Sequence, residues 1–566
     1  MKRIWHWRRA ILIALTAALL TFTGRDALRA QAEAPTAATG VDFAQISEPD
    51  IREWLTYLSS DALMGRAVFT EGYGMAAAYV AEQLRRLGVE PLGENGSYFQ
   101  PVARQGYRVT RNSSVTVRIN GETRTFTEGE HVSFPQMSGA AQTLEFAGIN
   151  FVGYGLPPRD GSPATVAPGR LVVLLPGIPR PPGGGRWSYP ATLLNVGGRS
   201  SALVDRGAAA VIGLGSVPPP RPRDDRARAG RATPVIDLTT VQHVDRPRAP
   251  TVTADETFLE FLLQQSAIPF QELRARANRG EALEPFALPD VHVTVKVNHT
   301  YELVKVERTN NVVGVVRGSD PVLRDTYVFF GAHLDHVGAA TGDSPPGVVN
   351  APIDIDPIWN GADDDGSGVS GVLAIAKAMA EGPRPKRSTV FVWHAGEEEG
   401  LLGSELMADS PVVPLESIQA VLNIDMIGRN HRDDPAKANT VFVIGADRIS
   451  TDLHNLLVAA NARMPRPLTL DYFYNDPDDS ESFYTRSDHY SYASRGVPIA
   501  FFFTGTHPDY HSNTDSVDKI LFPKLVRITQ LIYEAGFSLA DSPLTLRRDN
   551  RGSRSGRDFQ GTLSWR

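Results

Sequence analysis

From Val291 onward the sequence repeats one pattern. Short, largely apolar runs recur with helical stretches between, and several are followed by a residue able to bind a cation or carry a proton. The runs are Val312–Val316, Tyr327–Phe330, Thr389–Trp393, Ile418–Ile424, Val441–Ile444 and Pro498–Phe503. Helical periodicity marks Val369–Met379, Ser450–Ala460 and Pro523–Leu539, and Leu401–Met407 reads as a short helix. Strands apolar on both faces need cover on both faces. The predicted fold class is therefore α/β: a mixed, largely parallel sheet with helices on each side.

In open sheets of this kind, ligands bind beyond the carboxyl ends of the strands. His333 follows one run, Glu397 and Glu398 another, Asp425 ends a third, and His511 lies in the loop after Phe501-Phe502-Phe503. Asp364 stands in Asn360-Gly361-Ala362-Asp363-Asp364-Asp365-Gly366-Ser367-Gly368, a tight acidic turn before a helix. So acidic a turn is electrostatically costly without a cation, although a helix dipole also favours acids at its start. Two histidines and three carboxylates exceed what one zinc needs and suit two metals sharing a carboxylate. In the Glu397/Glu398 pair, one carboxylate can bind metal while its neighbour stays free to take a proton from water.

A chain of 566 residues is too long for one simple core. Residues 1–32 read as a secretory signal: Lys2, Arg3, Arg8 and Arg9, then the apolar Ala10–Leu20, then a cleavage site at Ala30-Gln31-Ala32. The alternative is an uncleaved anchor. Removing the segment takes away six basic residues and one acidic residue, and the formal charge moves from −7 to −12. An acidic, exported product points away from nucleic-acid partners and from stable membrane insertion. With no cysteine there is no disulfide, thiolate nucleophile or lipoprotein anchor, so a metal must be held by His, Asp and Glu.

Residues 33–45 read as a linker and 46–134 as the first part of the main domain, with helices near Ile51–Leu58 and Tyr73–Leu87 and a hairpin within 107–134. Residues 135–290 are rich in Gly, Pro and Arg, as in Pro179–Arg186 and Pro218–Arg231, and read as an inserted, β-rich domain. Residues 291–540 complete the main domain, and 541–566 read as a disordered tail.

The stretches "GAHLDHVG", "NGADDDGSG", "HAGEEEGLLGS", "LNIDMIG", "TRSDHYSY" and "TGTHPDYHSNTDS" resemble the co-catalytic di-zinc exopeptidases. These include bacterial leucyl aminopeptidases, aminopeptidase Y and, more distantly, glutamate carboxypeptidase. "GRSSALVDRGAAAVIGLG" is similar to a protease-associated (PA) domain. The resemblance implies two zinc ions per chain, other divalent metals being possible. His333 and Asp425 would hold one ion, Glu398 and His511 the other, and Asp364 would bridge them. It implies Glu397 as general base, Asp335 as orienting partner of His333, and often a cis bond between Asp364 and Asp365. Tyr510 matches an oxyanion donor and Arg486 a substrate-binding arginine.

The function so implied is an exported, periplasmic or secreted metallo-aminopeptidase acting on peptides. A carboxypeptidase or dipeptidase on the same scaffold would need a cation for the substrate's carboxylate, for which Arg486 is available. A non-catalytic peptidase-like binding protein would show lost ligands, and none is missing. His336, His394, His489 and Asp488 read as supporting neighbours, and Tyr484 as packing or substrate contact. Side-chain preference, native metal and oligomeric state are not legible in the residues.

Overall fold

The computed structural model describes residues 40–156, 168–180, 193–217, 236–238, 244–340, 356–476, 479 and 481–549. The signal (1–32), most of the linker, the arginine-rich loop 218–231 and the tail beyond 549 lie outside them. No helix among the described residues is long and apolar enough to cross a membrane.

The apolar runs form a ten-stranded mixed sheet. At its centre four strands run parallel: Ser388–His394, Tyr327–His333, Ile418–Ile424 and Ile499–Phe503, in that spatial order. Antiparallel neighbours flank them, His299–Val316 and then Phe99–Arg111 on one side and Thr440–Ile444 on the other. The parallel character read from the sequence thus belongs mainly to the centre. An apolar run reports burial of both faces, which central antiparallel strands also have.

Successive side chains of a strand face opposite ways, and the helices cover both faces. Val328, Phe330 and Ala332 enter a core shared with the helices Gly368–Glu381 and Phe522–Asp541. Tyr327 and Phe329 enter a second core with Met407 and Tyr492, from the helices Leu402–Asp409 and His489–Ala493. The helix Glu48–Leu58 starts where the Ser47 hydroxyl accepts from the Asp50 amide, with Pro49 in its first turn. Its buried stripe is Ile51, Trp54, Leu55 and Leu58.

A separate eight-stranded sheet takes the strands Ser114–Ile119, Glu122–Thr127, Gln142–Phe151, Leu171–Leu174, Ala210–Leu214, Thr251–Ala254 and Phe286–Val297, with Val132–Ser133 at its edge. The hairpin at 114–127 turns through Asn120 and Gly121, both left-handed (φ 54° and 77°), as a two-residue type I′ turn requires. The sequence reading gave this hairpin to the main domain; its Val115, Val117 and Ile119 are instead buried in the core of the second sheet. Alternation specifies a half-buried strand and not which sheet receives it.

Phe330 is fully buried and stacks on Phe391, with centroids 5.6 Å apart and planes 13° from parallel. Phe330→Ala is expected to cost about 3–5 kcal/mol, measurable by denaturant unfolding of the main domain.

Candidate metal centre

Each candidate ligand sits at or just beyond the carboxyl end of a parallel strand, or in the turn facing it. His333 ends the strand Tyr327–His333, and Asp425 follows Ile418–Ile424. Glu397 and Glu398 follow Ser388–His394, and His511 lies beyond Ile499–Phe503. Asp364 lies in the turn before the helix Gly368–Glu381. The structure brings all five together. His333 Nε2 lies 3.2 Å from Asp364 Oδ1 and 3.7 Å from Asp425 Oδ1. His511 Nε2 lies 3.1 Å from both Asp364 Oδ2 and Glu398 Oε2. Asp364 therefore faces one half of the cluster with each oxygen.

The three successive aspartates have three different employments. Asp365 accepts main-chain N–H groups from His333 (3.2 Å), Gly368 (2.9 Å) and Met426 (3.1 Å). Asp363 accepts from the Gly428 amide at 2.6 Å and lies 3.2 Å from His507 Nε2. Only Asp364 turns its carboxylate to the ligand histidines. The turn is held from below by Asp515, which accepts the amides of Asp363 and Asp364. The Asp364–Asp365 peptide is cis. Donor atoms of His333, Asp365 and Asp425 converge within 4.8 Å, as do those of His336, Asp364 and Glu398. Asp365 is set apart by its three amides. His336 donates from Nδ1 to Glu398 at 2.8 Å, or accepts there if that oxygen is protonated.

Asp335 departs from its expected part. The Nδ1 of His333 lies 3.1 Å from the main-chain carbonyl of Asp335, not its carboxylate. That contact still leaves Nε2 directed at the cluster. The fully buried Asp335 carboxylate accepts the amides of Gly396 (2.8 Å), Glu397 (3.1 Å) and Glu398 (3.3 Å). It organises the turn carrying the glutamate pair.

Burial works against every charge here, and the partners decide the outcome. Burial pushes Glu397 well above the carboxylate range, and Glu398, Asp425 and Asp488 add to this against the pull of His333. Burial alone would raise Asp364, but its hydrogen bonds to His333 and His511 hold it well below its usual value. Burial would lower His511, yet Asp364 and Glu398 carry it up to about 10.

Among the described residues no Lys or Arg nitrogen pairs with Asp364, Glu398 or Asp425. Two imidazoles and three carboxylates, with no Lys or Arg paired directly to them and the buried Arg66 acting only through space on Asp364, match the donor chemistry of zinc.

Beside the cluster lies a pocket walled by Met426, Phe483, Phe501 and Phe503, with Arg486 and Tyr510 at its lining. Tyr510 stacks on His511 at 4.0 Å, and Arg486 reaches its hydroxyl at 3.4 Å. His489 packs against Phe501 at 4.4 Å, and burial lowers it to about 3, so it stands as a neutral ring behind that pocket residue. His394 lies between the Tyr492 hydroxyl and Asp488.

Two supports escaped the sequence reading. Ser487 donates to Asp425 Oδ2 at 2.8 Å and accepts from Asn423. Arg66 is fully buried and donates to the carbonyls of Leu58, Leu334 (3.0 Å), Asn360 (2.7 Å) and Gly361 (3.0 Å). It ties the loop after His333 to the acidic turn. A hydrophilic residue in a short Gly-containing turn gives no sign of this.

Residues 311–536 match peptidase family M28. The matched region holds every candidate ligand. A probable leucine aminopeptidase of Arthroderma benhamiae is 29% identical over 238 residues, 40% of this chain and 58% of its own length. Leucine aminopeptidase 1 of Fusarium vanettenii is 26% identical over 284 residues, 46% of this chain and 66% of its own. The chain spans rather more than half the length of these curated relatives. Among solved structures, an aminopeptidase from Aneurinibacillus sp. strain AM-1 is similar with a TM-score of 0.42 at 18% identity, covering 91% of this chain and 97% of that one.

Two outcomes are expected. Because His511 is held protonated without metal and a ligand histidine must be neutral, zinc binding at pH 7 should release protons, and affinity should rise with pH towards 10. Calorimetry in buffers of different ionisation enthalpy measures this. Arg66→Met leaves four carbonyls without their donor and should cost at least about 3 kcal/mol, read by thermal unfolding.

Proposed function

We propose that this protein is an exported metallo-aminopeptidase that releases amino-terminal residues from peptides, with two zinc ions and Glu397 as general base. The observation that carries the reading is the position of Glu397. Its side chain lines the pocket beside the ligand cluster, and among the described residues its carboxylate has no hydrogen-bond or ion-pair partner. A group held near the ligands, uncommitted, and raised in pKa by burial is suited to accept and return a proton. His333 with Asp425 and His511 with Glu398 would hold the ions, and Asp364 would bridge. Zinc bound there would polarise the scissile carbonyl and acidify water.

Glu397 would take the proton of the attacking water and deliver it to the leaving amine. The Tyr510 hydroxyl is available to the developing oxyanion. Three carboxylates, Asp364, Glu397 and Asp425, line the pocket together with one arginine, Arg486. Its walls of Met426 and three phenylalanines suit an apolar side chain. The names of the curated leucine aminopeptidases support this reading. Arg486 gives the carboxypeptidase reading its one foothold. The eight-stranded unit is proposed as the PA-like insert, and residues 1–32 as the export signal.

A peptide free at both ends, incubated with enzyme and zinc and followed by mass spectrometry, should shorten from its amino end. Shortening from the carboxyl end would overturn the aminopeptidase reading. Glu397→Ala should lower kcat by about 100- to 10,000-fold while zinc content stays at two per chain.

A further inference from the structure

The loop that supplies His511 has neither helix nor strand from Thr504 to Ser516, and His511 itself adopts a left-handed conformation, φ 52°. His511 is also the most exposed of the five candidate ligands, with 20% of its side chain accessible. Its place is therefore set by turn hydrogen bonds and side-chain contacts rather than by an element. His507 and Asp515 hold the two ends of the loop to the acidic turn; nearest His511, the side-chain contacts gather on Asp509, two residues earlier. Its Oδ2 accepts from Arg429 Nη2 at 3.0 Å. Its Oδ1 accepts from Lys519 Nζ at 2.6 Å and from the Thr514 hydroxyl. Lys519 also donates to the Thr514 carbonyl at 2.7 Å, closing the loop on itself.

The other end of the clamp matters as much. Arg429 is nearly buried, is braced by Asp433 at 2.8 Å, and stands four residues after Asp425. One guanidinium thus ties the loop of one candidate ligand to the segment leaving another. We propose that Asp509 is a positioning residue for His511, holding its loop through Arg429 and Lys519 so that the Glu398/His511 half of the centre retains its ion. The inference rests on the two-zinc reading above. It concerns one half only, because His333 ends a strand with its Nδ1 fixed by the Asp335 carbonyl, and Asp425 directly follows a strand and is held by Ser487.

The test is zinc content at a series of buffered free-zinc concentrations, by elemental analysis, for the full chain and Asp509→Asn. The unaltered protein should hold two ions. Asp509→Asn should bind one as before and the other 10- to 100-fold more weakly, the usual loss when a partner behind a metal ligand is removed. Added zinc should then restore its activity. Equal weakening of both ions, or no weakening, overturns the clamp. If Asp509→Asn does not fold, Lys519→Met removes one arm and should show the same selective loss to a smaller degree; unchanged binding there overturns the clamp. An unaltered protein without zinc overturns the metal reading and this inference together. Two ions with an unchanged variant overturn this inference alone.

Discussion

The structure depends on finding donors for buried carboxylates. Asp335, Asp363, Asp364, Asp365, Asp488 and Asp515 are all buried within one region. An unpaired buried charge is among the costliest things a fold can contain. The solution is largely main-chain. Asp335, Asp365 and Asp515 accept amides from the ends of strands and from the acidic turn itself. Main-chain amides carry no formal charge and are built into the chain itself. They fix the framework and leave Asp364, Glu398 and Asp425 as the carboxylates that face the candidate ligand histidines, His333 and His511.

The parallel centre of the sheet makes this possible. Four adjacent strands end at one rim, so their following turns offer N–H groups to one another's side chains. The close fit extends outward. Asn311 accepts the Ala395 amide at 2.9 Å and donates to the Gly403 carbonyl at 2.9 Å. A Cβ at Gly403 would lie 2.1 Å from that Asn311 oxygen. The turn bearing the glutamates is thus pressed against the strand His299–Val316 as well as threaded on Asp335.

Much of this was legible in the sequence, for physical reasons that differ by residue. Strand runs such as Val390–Trp393 show themselves because burial on both faces excludes polar residues. The cluster shows itself because so many acids and histidines follow such runs. What the residues do not reveal is the division of labour. Asp363, Asp364 and Asp365 look alike in sequence and differ only in which donors the fold points at them. Asp335 was expected to face His333 with its carboxylate and presents its carbonyl instead, since three amides of the neighbouring turn claim the side chain. Arg66 and Ser487 are single polar residues whose meaning comes from contacts far along the chain, 62 and 64 positions away for Ser487 and as many as 295 for Arg66. The hairpin at 114–127 was read correctly as a hairpin and given to the wrong sheet, because periodicity is a local property and sheet membership is not.

The five candidate ligands come from five separate segments spread from His333 to His511. No single helix or hairpin contains even two that face the same half of the cluster. A nascent or clipped chain ending before the last of these segments has every strand of the parallel centre and still lacks the complete set. The site is therefore an indicator of completed folding. It comes into being only when contacts of long sequence separation, the slowest kind to form, have all been made, and any ion that binds it then draws the whole rim of the sheet into one cooperative unit.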